Sequence, residues 1–174
     1  MKTLIPFHEL FPELIDKETR FITILNDPVI PDDQYILVEV YCPDPNCNCR
    51  RVQLKVIAKE NTKQGELVTI SFGFERDKEL AGPYIDPLNL RCSYAGALFK
   101  IVAPMLEKDS QYVDRLKSHY HMVKQAVTNP TPRVKRALAR YNFDFYKQTD
   151  SRKELRRSPR ISRTKKKKRK KRKK

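Results

Sequence analysis

Hydrophobic and polar residues alternate with a period of two in four stretches between residues 20 and 74. Such alternation is typical of antiparallel strands that place one face on a core and the other in water. In the second stretch we expect Ile36, Val38 and Val40 to share the apolar face. The pattern predicts a meander of about four strands. These strands are RFITIL (20–25), QYILVEVYC (34–42), RVQLKVIAK (51–59) and ELVTISFGF (66–74).

The period becomes helical after the segment GPYIDPLN (82–89), which its prolines and glycine mark as a turn-rich loop. Ser93 is the expected N-cap of the first helix, and Asp109 or Ser110 that of the second. Because strands come first and helices second, we predict an α+β domain in which two or three helices cover one face of the sheet. The predicted helices span 94–106, 111–127 and 133–141.

The formal net charge of +16 is concentrated at the carboxyl end of the 174-residue chain. Residues 151–174, here called the basic tail, contain 16 Lys or Arg residues and one Glu, whereas residues 1–150 are nearly neutral. The basic tail has no aromatic residue, and Leu155 and Ile161 are its large aliphatic ones, so burial cannot offset the entropy lost on ordering. We therefore predict an α+β domain over 1–150 and a disordered basic tail over 151–174.

The amino-terminal segment is interrupted at short intervals by Pro6, His8, Glu9 and Pro12. A membrane-spanning helix needs about 20 predominantly apolar residues, and a signal peptide needs an uninterrupted apolar stretch. We therefore predict no transmembrane segment and a cytoplasmic location, where thiols stay reduced.

Cys42, Cys47 and Cys49 lie between the second and third predicted strands. Folding of this hairpin brings their thiols to one end of the sheet. Zinc binds thiolates in a tetrahedron at about 2.3 Å, and a Cys-x4-Cys-x-Cys turn can direct three sulfurs at one point. The charges of Arg50 and Arg51 are expected to favour the thiolate forms. The sequence thus predicts a zinc site in this turn.

The fourth ligand of this zinc site is not local in sequence. Cys92 is the first candidate, because the turn-rich loop before it could return over the end of the sheet. His119 and His121, on the second predicted helix, are alternatives, as is a water molecule. The thiols could instead be inert or weakly redox-active members of a structural turn, since cysteine is often buried as a small hydrophobe.

Four motifs between about residues 35 and 134 bring a resemblance to a protein family. They read YCPDPNCNCRRVQLKVI, GPYIDPLN, RLKSHYHMVK and NPTPRV. On these motifs the chain resembles an uncharacterised group of bacterial proteins that often end in a SEC-C motif, a short cysteine-rich zinc-binding segment. That segment is absent here, and a lysine block follows instead. The resemblance implies a cytoplasmic accessory protein with zinc at Cys42, Cys47 and Cys49, and it supplies no catalytic mechanism.

The basic tail ends in ten consecutive Lys or Arg residues. Each phosphate contact releases a counterion, so affinity for nucleic acid is expected to fall steeply as salt rises, with no reading of base sequence. We predict binding of RNA or DNA, ribosomal RNA included. Acidic membranes, acidic proteins and a purely solubilising role are the alternatives. The predicted contacts are Arg160, Arg163, Lys165, Lys166, Lys167, Lys168, Arg169, Lys170, Lys171, Arg172, Lys173 and Lys174.

Few sequence features favour an enzyme. The chain has no P-loop, no GxGxxG and no nucleophile elbow, and it contains four glycines in all. We therefore predict a small zinc-stabilised binding module that docks on a partner and carries a basic arm for nucleic acid. The alternative is a small metal-dependent or thiol enzyme, with Cys92 and His119 as a conceivable nucleophile and base.

Overall fold

In a computed structural model of the chain, the four predicted strands all belong to one six-stranded antiparallel sheet. The strands are β1 (Ile5–Pro6), β2 (Arg20–Ile24), β3 (Asp33–Tyr41), β4 (Arg51–Ala58), β5 (Glu66–Gly73) and β6 (Gly82–Leu90). Their order is β1-β3-β4-β5-β6. β2 also pairs with β3, so that β1 and β2 lie at opposite ends of the same edge of β3. The predicted α+β meander is confirmed, with two strands more than expected.

The structure describes residues 4–75, 81–90 and 92–141. The chain divides into two units, Met1–Phe143 and Asp144–Lys174, and the second lies outside the described residues. The predicted disorder of the basic tail therefore also lies outside them, and the predicted domain boundary at residue 150 stays a prediction.

Helices pack on one face of the sheet, and the three longest match the predicted ones. The helices of the described residues are α1 (Phe7–Leu10), α2 (Ile15–Glu18), α3 (Ala95–Lys108), α4 (Ser110–Thr128) and α5 (Pro132–Arg140). Asp109 caps α4 as predicted, because its carboxylate accepts from the Tyr112 N–H at 3.0 Å. Tyr94, and not Ser93, occupies the N-cap of α3, without a side-chain hydrogen bond. None of these helices has the length and apolarity required to cross a bilayer.

The segment 82–89 is a strand, so the prediction of a turn-rich loop is wrong. Proline donates no backbone hydrogen bond and is tolerated in a strand where that strand forms the edge of a sheet. β6 is the terminal strand in the sheet order, and Pro83 lies opposite Phe72 of β5. The edge position explains how a segment with two prolines pairs with β5.

Pairing with β4 decides which side chains of β3 meet the core. Leu37 lies opposite Val56, and both are buried. Glu39 lies on the same face and is buried too, whereas Ile36 and Val38 are only half-buried. The prediction is therefore wrong for Ile36 and Val38, because the odd-numbered residues of β3 face the helices. Val40, the third residue of the predicted set, is buried.

The core lies between this face of the sheet and helices α3 and α4. Burying a Val, Leu or Ile side chain contributes about 1.5–3 kcal/mol, so a continuous set of them supplies most of the stabilisation. The helices contribute Leu98, Val102, Leu106, Leu116, Val123 and Val127, and the sheet contributes Leu37, Val52, Leu54, Val56, Val68 and Ile70.

Candidate metal centre

Residues 42–50 connect β3 to β4 and are here called the cysteine loop. Asp44 organises its first turn, because its backbone oxygen accepts from the Cys47 N–H at 3.1 Å and its Oδ1 from the Asn46 N–H at 2.9 Å. An Asp side chain that bonds the backbone two residues ahead is a common turn former. This turn sends the chain back toward the sheet, so that Cys42, directly after β3, and Cys49, shortly before β4, come together.

The sulfur atoms of Cys42, Cys47 and Cys49 all lie within 4.8 Å of one another. Cys42 is buried, and the other two are half-buried. Around a tetrahedral zinc ion with bonds of ~2.3 Å, neighbouring sulfurs are about 3.8 Å apart, so small movements suffice to complete this geometry. The three cysteines could therefore hold a metal ion. Among the residues that the structure describes, these three form the group of possible metal ligands whose ligand atoms lie this close together.

A hydrogen bond between Cys42 and Cys49 shifts the pKa values of the two thiols in opposite directions. Their hydrogen bond lowers the pKa of Cys49 to about 7, against the opposing effect of burial. The same bond, together with burial, raises the pKa of Cys42, so Cys42 keeps the proton. Because metals bind thiolates, occupation of the site has to be accompanied by proton release.

Lys124 of α4 ties the cysteine loop to the helices. Its Nζ donates to the backbone oxygens of Asp44 at 2.6 Å and of Cys47 at 2.9 Å. The Cys42–Cys49 hydrogen bond and burial have the larger effects on the pKa of the two thiols, and the positive charge of Lys124 makes a smaller contribution that lowers both. Three thiolates and a divalent ion carry a net charge of −1, which this ammonium group balances.

The arginines expected to favour the thiolates have other partners. Arg50 forms an ion pair with Glu75, and Arg51 donates to the Tyr84 hydroxyl at 3.2 Å. Lys124 supplies the nearby charge instead. The sequence could have placed Lys124 on a helix, but nothing in it indicates the loop that this side chain reaches.

Cys92 does not join the other three cysteines. Its backbone oxygen accepts from Ala95 at the start of α3, and the hydroxyl of the nearby Tyr94 donates to Gln64, in the connection between β4 and β5. Burial, together with the nearby charges of Tyr94, Asp33 and Cys92, raises the pKa of Tyr35 to about 12, so Cys92 lies near the first residues of β3.

The cysteine loop follows the last residue of β3. Seven residue-to-residue steps of extended chain lead from Tyr35 to Cys42, a distance of about 23 Å. Cys92 thus lies at the opposite end of the sheet from the predicted zinc ligands, because β6 runs away from the cysteine loop. The predicted fourth ligand is not where a metal at the cysteine loop requires it.

The two histidines considered as alternatives are not part of the cluster either. Nδ1 of the buried His119 lies 2.7 Å from Glu39 Oε2, and its ring stacks on Phe7 at 3.9 Å between centroids. His121 is exposed, and its ring meets the edge of Tyr120. Within the described residues the cysteine loop therefore supplies three ligands to one point. The predicted nucleic-acid contacts, Arg160, Arg163 and 165–174, lie outside those residues.

Comparison with known proteins finds no family model, no curated protein and no solved structure that matches this chain. The resemblance to the group with a SEC-C motif therefore stays a prediction.

Proposed function

We propose that the protein is a small cytoplasmic binding module, stabilised by zinc, that uses its basic tail to bind nucleic acid. The observation that supports the zinc centre is the convergence of Cys42, Cys47 and Cys49 within 4.8 Å. Thiolate ligands select soft or borderline ions, and zinc is the common structural ion among them. The resemblance to zinc-binding bacterial proteins points to the same ion.

A structural role fits the position of the site. The cysteine loop closes the β3–β4 hairpin at the centre of the sheet, and Lys124 holds two of its carbonyl oxygens from the helix side. A metal there would join the ends of two neighbouring strands and fix the loop against α4. Binding free energy of this kind contributes directly to folding.

A measurement of the metal bound to the purified full-length chain tests the proposed zinc centre. Elemental analysis is expected to find about one equivalent of zinc per chain, and Cys47→Ser is expected to lose it. Cys92→Ser is the matched control and should keep its zinc, because Cys92 lies at the other end of the sheet. A metal-free wild-type chain whose thiols all react at ordinary rates would contradict the proposal.

The nucleic-acid part of the proposal rests on the sequence of the basic tail. Its net charge of +15, from 16 basic residues and one Glu, stands against a nearly neutral remainder. Deletion of 151–174 is expected to leave the melting temperature nearly unchanged and to abolish most binding to mixed-sequence RNA or DNA. Binding by the full chain should weaken steeply with salt. A deleted chain that still binds RNA tightly would place the recognition surface on the folded unit.

A metal-dependent enzyme is the second candidate, since the described residues supply three ligands and catalytic zinc commonly has three plus a water. Replacement of zinc by cobalt(II) distinguishes the two. In a closed structural site the thiolate-to-cobalt absorption should not respond to added cyanide. A shift of that absorption would show an exchangeable fourth position and favour the enzyme.

A further inference from the structure

The edge of β3 is interrupted between β1 and β2. β1 pairs with Val40 and Tyr41, and β2 pairs with 33–37, so Val38 and Glu39 have no strand partner on this edge in the described sheet. Alternate residues of a strand direct their N–H and C=O groups to the same edge. One of these two residues therefore presents its backbone polar groups to the gap.

A cavity of about 400 Å³, here called the edge pocket, opens at this gap. Its size falls within the range of small-molecule sites, roughly 300–1,000 Å³. The exposed fractions of Ile15 and Phe21, 40% and 43%, show that its mouth is apolar as well. Apolar side chains line it from both sides of the strand: Phe7, Leu14, Ile15, Phe21, Ile36 and Val38.

The edge pocket has an acidic lining. Asp16, Glu18 and Glu39 contribute carboxylates and His8 contributes an imidazole, and none of the lining residues that the structure describes is Lys or Arg. Arg115, with its Nη1 3.5 Å from Glu18 Oε2, is the cation in contact. With His8 and His119 neutral, three carboxylates against Arg115 leave a net charge of −2.

When the His119 ring is neutral, two hydrogen-bond acceptors face each other near Glu18. Glu39 Oε2 accepts from the Tyr41 hydroxyl at 2.7 Å and lies 2.7 Å from His119 Nδ1, so Nδ1 carries the proton of that bond. In the neutral ring Nε2 is then an acceptor. It lies 3.9 Å from Glu18 Oε2. A donor with several N–H groups and a positive charge would satisfy both atoms.

We propose that the edge pocket binds a small organic amine, with its apolar body among the aliphatic and aromatic side chains and its ammonium group against Glu18. The apolar lining provides binding energy without selectivity for charge. The carboxylates, His119 Nε2 in the neutral ring and the backbone carbonyl that faces the gap favour a cationic donor over a neutral or anionic one. This site is separate from the cysteine loop and does not depend on a bound metal.

A single-tryptophan variant tests the amine site. The chain contains no tryptophan, so Phe21→Trp places one reporter at the pocket mouth. Phenethylamine, phenethyl alcohol and hydrocinnamate are compared as probes with similar bodies and different charge. We expect the amine to change the fluorescence and to bind at least about fivefold more tightly than the alcohol, with the anion weakest. Methyl resonances of Ile36 and Val38 in the unsubstituted chain provide a second readout.

The charge variant is Glu18→Gln, and Glu107→Gln, on α3 and away from the edge pocket, is its matched control. Because Glu18 is partly exposed, we expect about a fivefold loss of amine affinity in the first and none in the second. The proposal is overturned if both readouts show no amine binding, if hydrocinnamate binds as tightly as the amine, or if Glu18→Gln leaves the amine affinity unchanged.

Discussion

The ammonium group of Lys124 lies 2.9 Å from the backbone oxygen of Cys47, although 77 positions of sequence separate the two residues. The contact joins the longest helix to the loop that carries the cysteines. Because Lys124 donates to Asp44 as well, it fixes both sides of the first turn of the cysteine loop. The arrangement of the thiols therefore depends on α4 and not only on the hairpin.

Replacement of Lys124 by Met tests this dependence. Met keeps most of the side-chain length and removes the charge and the donors. Outer-shell partners of metal sites contribute about 10- to 100-fold to affinity, so we expect about a tenfold loss of zinc affinity. Competition with a chelator measures it. Lys117→Met, on the same helix but paired with Asp114, should bind zinc normally. Equal affinities for both variants would contradict the role of Lys124.

The hydrogen bond between Cys42 and Cys49 predicts a difference in thiol reactivity in the metal-free chain. The pKa of Cys49 is lowered to about 7 by its hydrogen bond with Cys42, so its thiolate fraction should increase as pH rises through 7. Burial raises the pKa of Cys92, which should react only at higher pH. Alkylation followed by peptide mass spectrometry gives both midpoints. Cys42→Ala should move the Cys49 midpoint upward, and a midpoint that does not move would be inconsistent with the hydrogen bond.

The buried pair of His119 and Glu39 predicts a large effect on stability. His119→Phe removes a partner of a buried carboxylate, and breaking such a pair costs about 3 kcal/mol. Urea unfolding should show this loss. His121→Phe is the matched control, since His121 is exposed and should change the free energy of unfolding by less than about 0.5 kcal/mol. Similar values for the two variants would show that Glu39 does not need His119.

The N-cap of α4 predicts a smaller effect. Asp109→Ala removes the acceptor for the Tyr112 N–H and is expected to cost about 1 kcal/mol. Asp109→Asn keeps an acceptor and loses the partly exposed ion pair with Arg20, which contributes little. Thermal unfolding of the two variants separates cap from ion pair. An equal loss for Asn and for Ala would assign the stabilisation to the ion pair, because both variants lack the ion pair and only Ala lacks the cap.

Local patterns determine the elements that the sequence predicted correctly. In β4, Val52, Leu54 and Val56 alternate with polar residues, and the structure buries all three. Asp109 precedes an amphipathic segment and caps it. In both cases, the information lies within a few residues, so a periodicity or a cap motif is sufficient.

Long-range partners explain what the sequence could not predict. Glu39 lies on the core face of β3, where the alternation of the sequence predicted a solvent-facing residue. Its buried carboxylate contacts His119, which is 80 positions away in the sequence. Lys124 and the cysteine loop are joined in the same manner. The cluster of Cys42, Cys47 and Cys49 was accessible to prediction because one turn contains all three residues. The position of Cys92, in contrast, depends on the direction of β6.

The two prolines of β6 have a consequence for behaviour at high concentration. An exposed sheet edge is a template on which another molecule can add a strand, and this begins many aggregation reactions. Pro83 and Pro87 lack the N–H that such a strand would need to bond. The segment that completes the sheet thus also terminates it, which protects the protein from growth into intermolecular β-structure on that side.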